Sequence, residues 1–82
     1  MSAKDVRAYI LDITNSIRYI REFTDSISFD EFNEDIKTQY AVIRCFEVIG
    51  EAAKRVPDDF KKQHISIPWK IMAGMRDRLI HG

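Results

Sequence analysis

Apolar residues recur at intervals of three and four along the first 24 residues, and this spacing constrains the fold more than any other feature. On a helical wheel they fall within an arc of about 100°, which is typical of a helix buried along one side. Ser2 and Asp5 form a capping-box pattern just before the stripe. The sequence therefore predicts a helix over about residues 3 to 24. The residues of its stripe are Val6, Tyr9, Ile10, Ile13, Ile17 and Ile20.

Helical signals continue through the rest of the chain. Ser28 and Glu31 form a second capping box, which opens a short amphipathic piece that leads into a long helix over about 34 to 56. Pro57 ends this helix, Asp58 or Asp59 is expected to cap a short turn, and Pro68 suits the first position of a last helix. Because no β-strand signal competes, the predicted fold is all-α, a small antiparallel helical bundle.

Size and charge limit what the chain can be. Its 82 residues, 45% of them hydrophobic, predict one domain over residues 1–82. A partner is expected, because the core of so small a domain is only marginally sufficient to stabilise the fold. The formal net charge is zero, so no overall field recruits nucleic acid or an anionic membrane. Any contact with RNA must be local, and the C-terminal helix is locally positive. The single cysteine excludes an internal disulfide framework, and without an apolar leader the chain is expected to be cytoplasmic.

The outer side of the long helix carries charged residues at pairing distances. Arg44 with Glu47, and Glu51 with Lys54 or Arg55, fit a solvated face with weak ion pairs. Gly50 lies beside them and favours a second interpretation, in which another backbone packs closely against this side of the helix. A mid-helix glycine costs roughly 1 kcal/mol of stability relative to alanine, and this cost is easier to understand where such an approach occurs.

The last helix has an unusually wide apolar arc. Its apolar positions span roughly 200°, more than one packing face of a small bundle needs. The arc assigned to the intramolecular core comprises Pro68, Ile71, Met72, Met75 and Leu79, and Trp69, Ala73 and Ile80 lie beside it. A second buried surface is expected, and a homodimer is its simplest source.

Arg76 lies inside this apolar arc, where a guanidinium needs a carboxylate, a phosphate or a wet groove. Alternatively, its stem covers Trp69 while its head pairs with Glu47 or Glu51. His81 is five residues further on, about 140° around and ~7.5 Å along a regular helix. The two residues could act together if the helix ends at Gly82 or if the pair is completed across a dimer; otherwise His81 is a favourable charge at a helix C-terminus.

Other reactive side chains carry less signal. His64 has no partner at metal-ligand or triad spacing, and Cys45 lies on the apolar side of its helix without a neighbouring histidine. No zinc spacing, phosphate loop or carboxylate cluster is present in the sequence. Neither a metal nor a cofactor is therefore expected.

Four ordered blocks make the chain resemble HepT-like HEPN proteins, the toxins of toxin-antitoxin pairs whose antitoxin is a minimal nucleotidyltransferase. The blocks are 28–32 (SFDEF), 39–44 (QYAVIR), 48–54 (VIGEAAK) and 67–77 (IPWKIMAGMRD), followed by 79–82 (LIHG).

This resemblance implies a dimeric helical bundle and a metal-independent endoribonuclease. Arg76 and His81 match the family's catalytic arginine and histidine, and Asp77 stands where a polar residue follows the arginine. Arg44 and Glu51, which lie in the matching blocks, are expected to support the site. The expected products are a 2′,3′-cyclic phosphate and a 5′-hydroxyl, and the expected partners are RNA, a second copy and the antitoxin, with no membrane.

The family pattern continues as His-x-Tyr and then into a further C-terminal segment, whereas this chain ends at Gly82. The chain is therefore expected to lack that segment, together with the tyrosine that the antitoxin modifies with AMP.

Two functional hypotheses follow. One is a toxin-type ribonuclease whose composite site uses Arg76 and His81 from a dimer, which the presence of both signature residues favours. The other is a non-catalytic helical module that partners a nucleotidyltransferase, which the neutral net charge favours.

Overall fold

Residues 2–81 form five helices. The structure, a computed structural model, describes the backbone of residues 2–81 and the side chains of residues 2–75. The helices are α1 (Ala3–Thr24), α2 (Phe29–Glu34), α3 (Ile36–Arg55), α4 (Asp58–Gln63) and α5 (Trp69–His81). Residues 2–81 contain no β-strand, so the predicted all-helical fold is confirmed. Over the same residues, no helix is long and apolar enough to cross a membrane.

α1 has the predicted bounds and the predicted start. The Ser2 hydroxyl accepts a hydrogen bond from the Asp5 amide, and the Asp5 carboxylate accepts one from the Ser2 amide, which completes the capping box. Ile13 and Ser16 are buried. Ile17 was expected in the buried stripe but is 41% exposed, because it lines a groove between α1 and α5 that no described residue fills.

The second capping box also forms, between Ser28 and Glu31 at the start of α2. Asp35 then caps α3: its carboxylate accepts hydrogen bonds from the Thr38 hydroxyl at 2.6 Å and from the Thr38 amide at 3.0 Å. These bonds hold the pKa of Asp35 below its ordinary value, because they stabilise the ionised carboxylate. The short and long helices predicted over this stretch are confirmed.

α3 is the central helix, since both α1 and α5 pack against it. Tyr9 of α1 lies beside Arg55, whereas Tyr19 lies beside Arg44, so α1 and α3 run antiparallel. Gly50 is buried, which fits the expectation that a neighbouring element covers it. The core cluster comprises Ile13, Ile49, Ala52, Ala53, Val56, Trp69 and Met72.

The junction before α4 differs from the prediction in one respect. Neither Asp58 nor Asp59 caps α4; both lie in its first turn, and Pro57 occupies the cap position without a side-chain hydrogen bond. Carboxylates in the first turn still interact favourably with the positive end of the helix dipole. α4 ends at Gln63.

α5 is rotated relative to the core arc predicted for it. Trp69 is buried at 8% exposure, whereas Ile71, which was assigned to the core, is 68% exposed. The indole fixes this orientation: its Nε1 donates a hydrogen bond to the His64 carbonyl at 3.1 Å, and its ring packs edge-on against Phe60. Because burying the larger indole removes more apolar area from water, the helix turns Trp69 inward and Ile71 outward.

Trp69 is therefore part of the monomer core, and it is not available for the second buried surface that the wide apolar arc predicted. Met72 is buried as expected, and Met75 is half-buried. Leu79 and Ile80, which completed the two predicted arcs, have side chains outside the described residues. The dimer stays a prediction, and it needs support from another part of the molecule.

Gly74 offers a test of how firmly α5 is held. It lies inside the helix, and a Cβ added there would meet no atom within 4 Å. Gly74→Ala should therefore raise the free energy of unfolding by about 0.5–1 kcal/mol, because alanine loses less backbone entropy in a helix. Thermal and urea unfolding measure this change. A loss of stability would show that another surface occupies the space beside Gly74.

Candidate functional site

A polar groove of about 580 Å³ lies between α1 and α3. It contains two of the residues that the sequence predicted as supporting, Arg44 and Glu51. We call it the polar groove; its lining residues are Tyr9, Asp12, Arg44, Glu47, Val48, Glu51, Ala52 and Arg55.

Arg55 and Glu51 form the ion pair that closes one end of the polar groove. Arg55 Nη2 donates to Glu51 Oε1 at 3.2 Å, and both side chains remain about half exposed. Hydrogen bonding to Glu51, and then to Tyr9, raises the pKa of Arg55 above its ordinary value. An exposed pair of this kind adds little stability, so its main effect is to orient the two side chains. The predicted pairing of Glu51 with Arg55 is confirmed.

Arg44 behaves differently from Arg55. The predicted Arg44–Glu47 pair is not formed, and among the side chains that the structure describes Arg44 has no ion pair. It lies between the polar groove and a second hollow of about 380 Å³, which Asn15, Ser16 and Tyr19 of α1 also line. A guanidinium presents a planar fork of donors that matches a carboxylate or a phosphate. Arg44 is therefore available to bind an anionic group from outside the chain.

The groove also contains residues that the sequence analysis did not single out as site residues. Tyr9 was assigned to the apolar stripe of α1, and Asp12 was not considered. The spacing in α1 does indicate that these two residues are neighbours, because Asp12 follows Tyr9 by three residues and therefore lies on the same side of the helix. With three carboxylates and two guanidiniums, the groove has mixed charge.

The predicted catalytic residues lie at the far end of α5. Arg76, Asp77 and His81 fall within the helix Trp69–His81, but their side chains lie outside the described residues. The structure brings Arg44 and Glu51 together in the polar groove.

A second, apolar groove of about 620 Å³ runs between α1 and α5. Among the described residues that line it, Arg21 is the one charged residue, and the remainder are almost all apolar. They are Ile10, Ile13, Thr14, Ile17, Ile20, Phe46, Ile49, Ile67, Pro68, Trp69, Met72 and Met75. A surface so poor in polar groups suits another apolar element better than a charged ligand.

The two other reactive side chains, His64 and Cys45, differ in burial. His64 is exposed, and its ring lies against Phe60 at 4.4 Å between centroids. Cys45 is buried, and burial raises the pKa of its thiol, which keeps the sulfur protonated and unreactive. Within the described part of the chain, no three His, Cys, Asp or Glu side chains are grouped so that they could hold a metal ion.

Comparison with known proteins covers the end of α5, whose side chains lie outside the described residues. The model of the ribonuclease HepT-like family matches residues 13–82, a range that includes Arg76, Asp77 and His81. No solved structure matches the chain.

Several named relatives are similar over nearly the whole chain. "Putative RNase MJ0127" of Methanocaldococcus jannaschii is 53% identical over 81 residues, which cover 99% of this chain and 67% of that protein. "Probable ribonuclease HepT" of Thermococcus cleftensis is 56% identical over 73 residues, which cover 89% of this chain and 66% of that protein. The chain thus spans about two thirds of the length of these relatives. Because the family model matches most of its residues and these relatives share more than half of their aligned positions with it, the chain belongs to the HepT-like ribonuclease family.

Proposed function

We propose that this protein is a metal-independent endoribonuclease of the toxin type, with Arg76 as the phosphate-binding residue and His81 as the general acid and base. The observation that carries the proposal is the family match over residues 13–82, a range within which Arg76 and His81 lie five positions apart. The names of two relatives, each more than 50% identical, refer to ribonuclease activity and support it.

The proposed reaction needs only groups that the chain and the RNA supply. The ribose 2′-oxygen attacks the adjacent phosphorus, and its proton passes to the His81 imidazole. Arg76 stabilises the negative charge that develops on the phosphate oxygens. The bond from phosphorus to the 5′-oxygen then breaks, and that oxygen takes up a proton, which leaves a 2′,3′-cyclic phosphate and a 5′-hydroxyl.

The register of α5 supports the role of Arg76. Trp69 and Met72 are both buried. In the same helix, Arg76 follows Trp69 by about two turns and Met72 by about one turn. On the wheel of a regular helix, position 76 therefore falls on the same arc as these two residues. A guanidinium there requires an anionic partner or a wet groove, and a phosphate of the substrate would satisfy it.

We further propose that the working form is a homodimer, and that a minimal nucleotidyltransferase is the antitoxin that binds it. His81 lies about 140° around the helix from Arg76, so one regular helix does not direct both side chains to the same point. A groove formed by two copies would let the arginine of one act with the histidine of the other. Asp77, Arg44 and Glu51 are proposed as supporting residues.

Arg76→Lys tests the phosphate role. Lysine keeps the charge but loses the planar fork that binds two phosphate oxygens, so RNA cleavage should fall roughly 10²- to 10³-fold. The free energy of unfolding should change by less than about 0.5 kcal/mol. Arg78→Lys, two residues along the same helix, is the matched control and should keep its activity.

The opposite result would favour a structural arginine. If Arg76→Lys lowered the melting temperature while the rate of RNA cleavage stayed unchanged, Arg76 would be a packing residue whose stem covers apolar surface.

A second candidate function is a non-catalytic helical module that binds a minimal nucleotidyltransferase. The zero net charge and the mixed charges of the polar groove favour it, because RNA-binding surfaces are usually basic. Growth arrest on expression separates the two candidates. A toxin-type ribonuclease should arrest growth, and a binding module should not.

A further inference from the structure

Three lysines line a hollow of about 420 Å³ where the chain turns from α4 into α5. Lys61 and Lys62 belong to the last turn of α4, and Lys70 belongs to the first turn of α5. Asp58 is the one acidic residue among the described residues that line this hollow. Because the whole chain has a net charge of zero, the hollow is a local concentration of positive charge. We call Lys61, Lys62 and Lys70 the lysine patch.

The connection between the two helices holds the lysine patch in place. The His64 amide donates a hydrogen bond to the Lys61 carbonyl at 3.1 Å. The His64 carbonyl accepts two hydrogen bonds, from the Ile67 amide and from the Trp69 indole, each at 3.1 Å. The indole is also buried and packs edge-on against Phe60 of α4. Since α4 and α5 are joined so firmly, their lysines share one hollow before any ligand binds, which lowers the cost of ordering them.

No ion pair joins the lysine patch to a carboxylate among the side chains that the structure describes. Lys62 and Lys70 are exposed, and Lys61 is half-buried. The polar groove differs, because three carboxylates line it together with its two arginines. A phosphate backbone should therefore be attracted to the lysine patch and not to the polar groove.

The lysine patch reaches the same side of α5 as one of the proposed catalytic positions. Lys70 and His81 are eleven residues apart in α5. On a regular helix, their positions differ by about 20° around the axis and by about 16 Å along it. Gly74 lies between them, within about 40° of each position, and a Cβ added there would meet no atom within 4 Å. A few nucleotides of an extended strand therefore have room to run along α5 from Lys70 past Gly74.

We propose that the lysine patch binds the phosphate backbone of single-stranded RNA and directs the strand along α5 towards Arg76 and His81. The inference rests on the ribonuclease activity proposed above, and it adds a binding surface outside the reacting residues. A lysine ammonium group binds phosphate as a point charge and does not read the base. The three lysines are therefore positioning residues, which should hold RNA of any sequence.

Exposed apolar side chains also border the lysine patch. Ile65 is 83% exposed and Ile71 is 68% exposed, and an acidic segment of another protein would cover them as well as the lysines. Two observations favour RNA instead: the patch shares a side of α5 with position 81, and the chain belongs to a ribonuclease family. The two partners need different side chains, because RNA phosphates need the lysines alone.

Fluorescence anisotropy tests the proposal with an RNA that cannot be cleaved. The probe is a labelled oligouridylate of about twelve nucleotides, in which methylated 2′-oxygens cannot attack phosphorus. Replacing both exposed lysines of the patch, Lys62→Ala with Lys70→Ala, should weaken its binding to the complete chain by roughly tenfold at low salt. The slope of log Kd against log salt concentration should become shallower by about 0.7 for each lysine removed.

Two further pairs of substitutions separate charge from other effects. Lys4→Ala with Lys37→Ala removes two exposed lysines of α1 and α3, and this matched control should bind the probe as the wild type does. Lys62→Arg with Lys70→Arg keeps both charges and should restore most of the binding that the alanine pair loses. Thermal unfolding of each variant shows that the fold is retained.

Cleavage of unmodified RNA gives a second measurement. The pair Lys62→Ala with Lys70→Ala should raise KM by roughly the same factor as Kd and leave kcat within about twofold, because a contact with distant phosphates is equally strong in the ground state and in the transition state. A fall in kcat without a change in KM would contradict a positioning role.

Three binding results would overturn the inference. One is a wild-type chain that does not bind the probe. Another is equal binding by the wild type and the alanine pair Lys62→Ala with Lys70→Ala. The third is an equal loss of binding in Ile65→Ser with Ile71→Ser, which would indicate an apolar contact surface instead of a phosphate track.

The same measurements distinguish this inference from the ribonuclease proposal. Cleavage of RNA by a protein whose probe binding ignores the lysines would overturn the lysine patch and leave the ribonuclease in place. Lysine-dependent binding of the probe by a protein that cleaves no RNA would support the patch and contradict the ribonuclease.

Discussion

His81→Ala is expected to lower the rate of RNA cleavage by roughly 10²- to 10⁴-fold, the contribution typical of a general acid or base. The bundle should keep its helical content, because the substitution changes none of the residues of the described core cluster, which run from Ile13 to Met72. Single-turnover cleavage of a labelled RNA measures the rate, and circular dichroism measures the fold. In the wild type the rate should depend on a group that titrates near neutrality, and this dependence should disappear in the variant.

The chain supplies its own control for this experiment. His64, the other histidine, is exposed and lies against Phe60 at the end of α4, far along the sequence from the predicted pair. His64→Ala should cleave RNA at nearly the wild-type rate. If His64→Ala and His81→Ala lost activity equally, the loss would report a general effect on the protein. Unchanged activity of His81→Ala would remove the acid-base role from this residue.

Trp69→Ala is expected to have the largest effect on stability, a loss of about 3–5 kcal/mol. The indole is buried in the core cluster beside Met72, packs against Phe60, and donates to the His64 carbonyl at 3.1 Å. Truncation leaves a cavity and removes one of the two hydrogen bonds that the His64 carbonyl accepts, the other being donated by the Ile67 amide. Since a folded domain is stable by only about 5–15 kcal/mol, a loss of this size removes a large part of the free energy of unfolding. Urea and thermal unfolding measure the loss.

Two variants separate packing from hydrogen bonding at this position. Trp69→Phe keeps an aromatic ring but removes the donor, so it should cost less than Trp69→Ala, about 1–2 kcal/mol. Ile71→Ala changes an exposed apolar residue of the same helix and should change stability by less than about 0.5 kcal/mol. Equal losses at Trp69 and Ile71 would contradict the observed rotation of α5.

The sequence predicts α1 and α3 well because their signals are local. Apolar spacing fixes the buried side of a helix, and capping boxes at Ser2 and Ser28 fix where helices begin. These patterns depend on neighbours within a few residues, so no tertiary information is needed. The bounds of α1 agree with the prediction at both ends.

The rotation of α5 was not predictable in the same way. The helical wheel treats Trp69 and Ile71 as similar apolar residues on a wide arc, and it does not say which of them turns inward. The answer depends on the His64 carbonyl and the Phe60 ring, which belong to another part of the chain. Arg44 illustrates the same limit, because two surface charges at pairing distance need not form a pair.

The polar groove is a surface that the sequence indicates only in part. Arg44 and Glu51, which the sequence predicts as supporting residues, both line it, and their role stays a prediction. The contribution of Tyr9 and Asp12 depends on how α1 packs across α3, which no pattern within a single helix reveals. The open apolar groove between α1 and α5 likewise follows from the placement of three helices.

The identity of the RNA ends tests the ribonuclease proposal most directly. Purified protein should be incubated with a 5′-labelled RNA in EDTA, and the product ends analysed by their sensitivity to phosphatase and kinase. The proposal predicts cleavage that persists in EDTA and leaves a 2′,3′-cyclic phosphate and a 5′-hydroxyl. Cleavage that stops in EDTA, or that leaves a 5′-phosphate, would contradict it, as would intact RNA with a protein that is folded and dimeric.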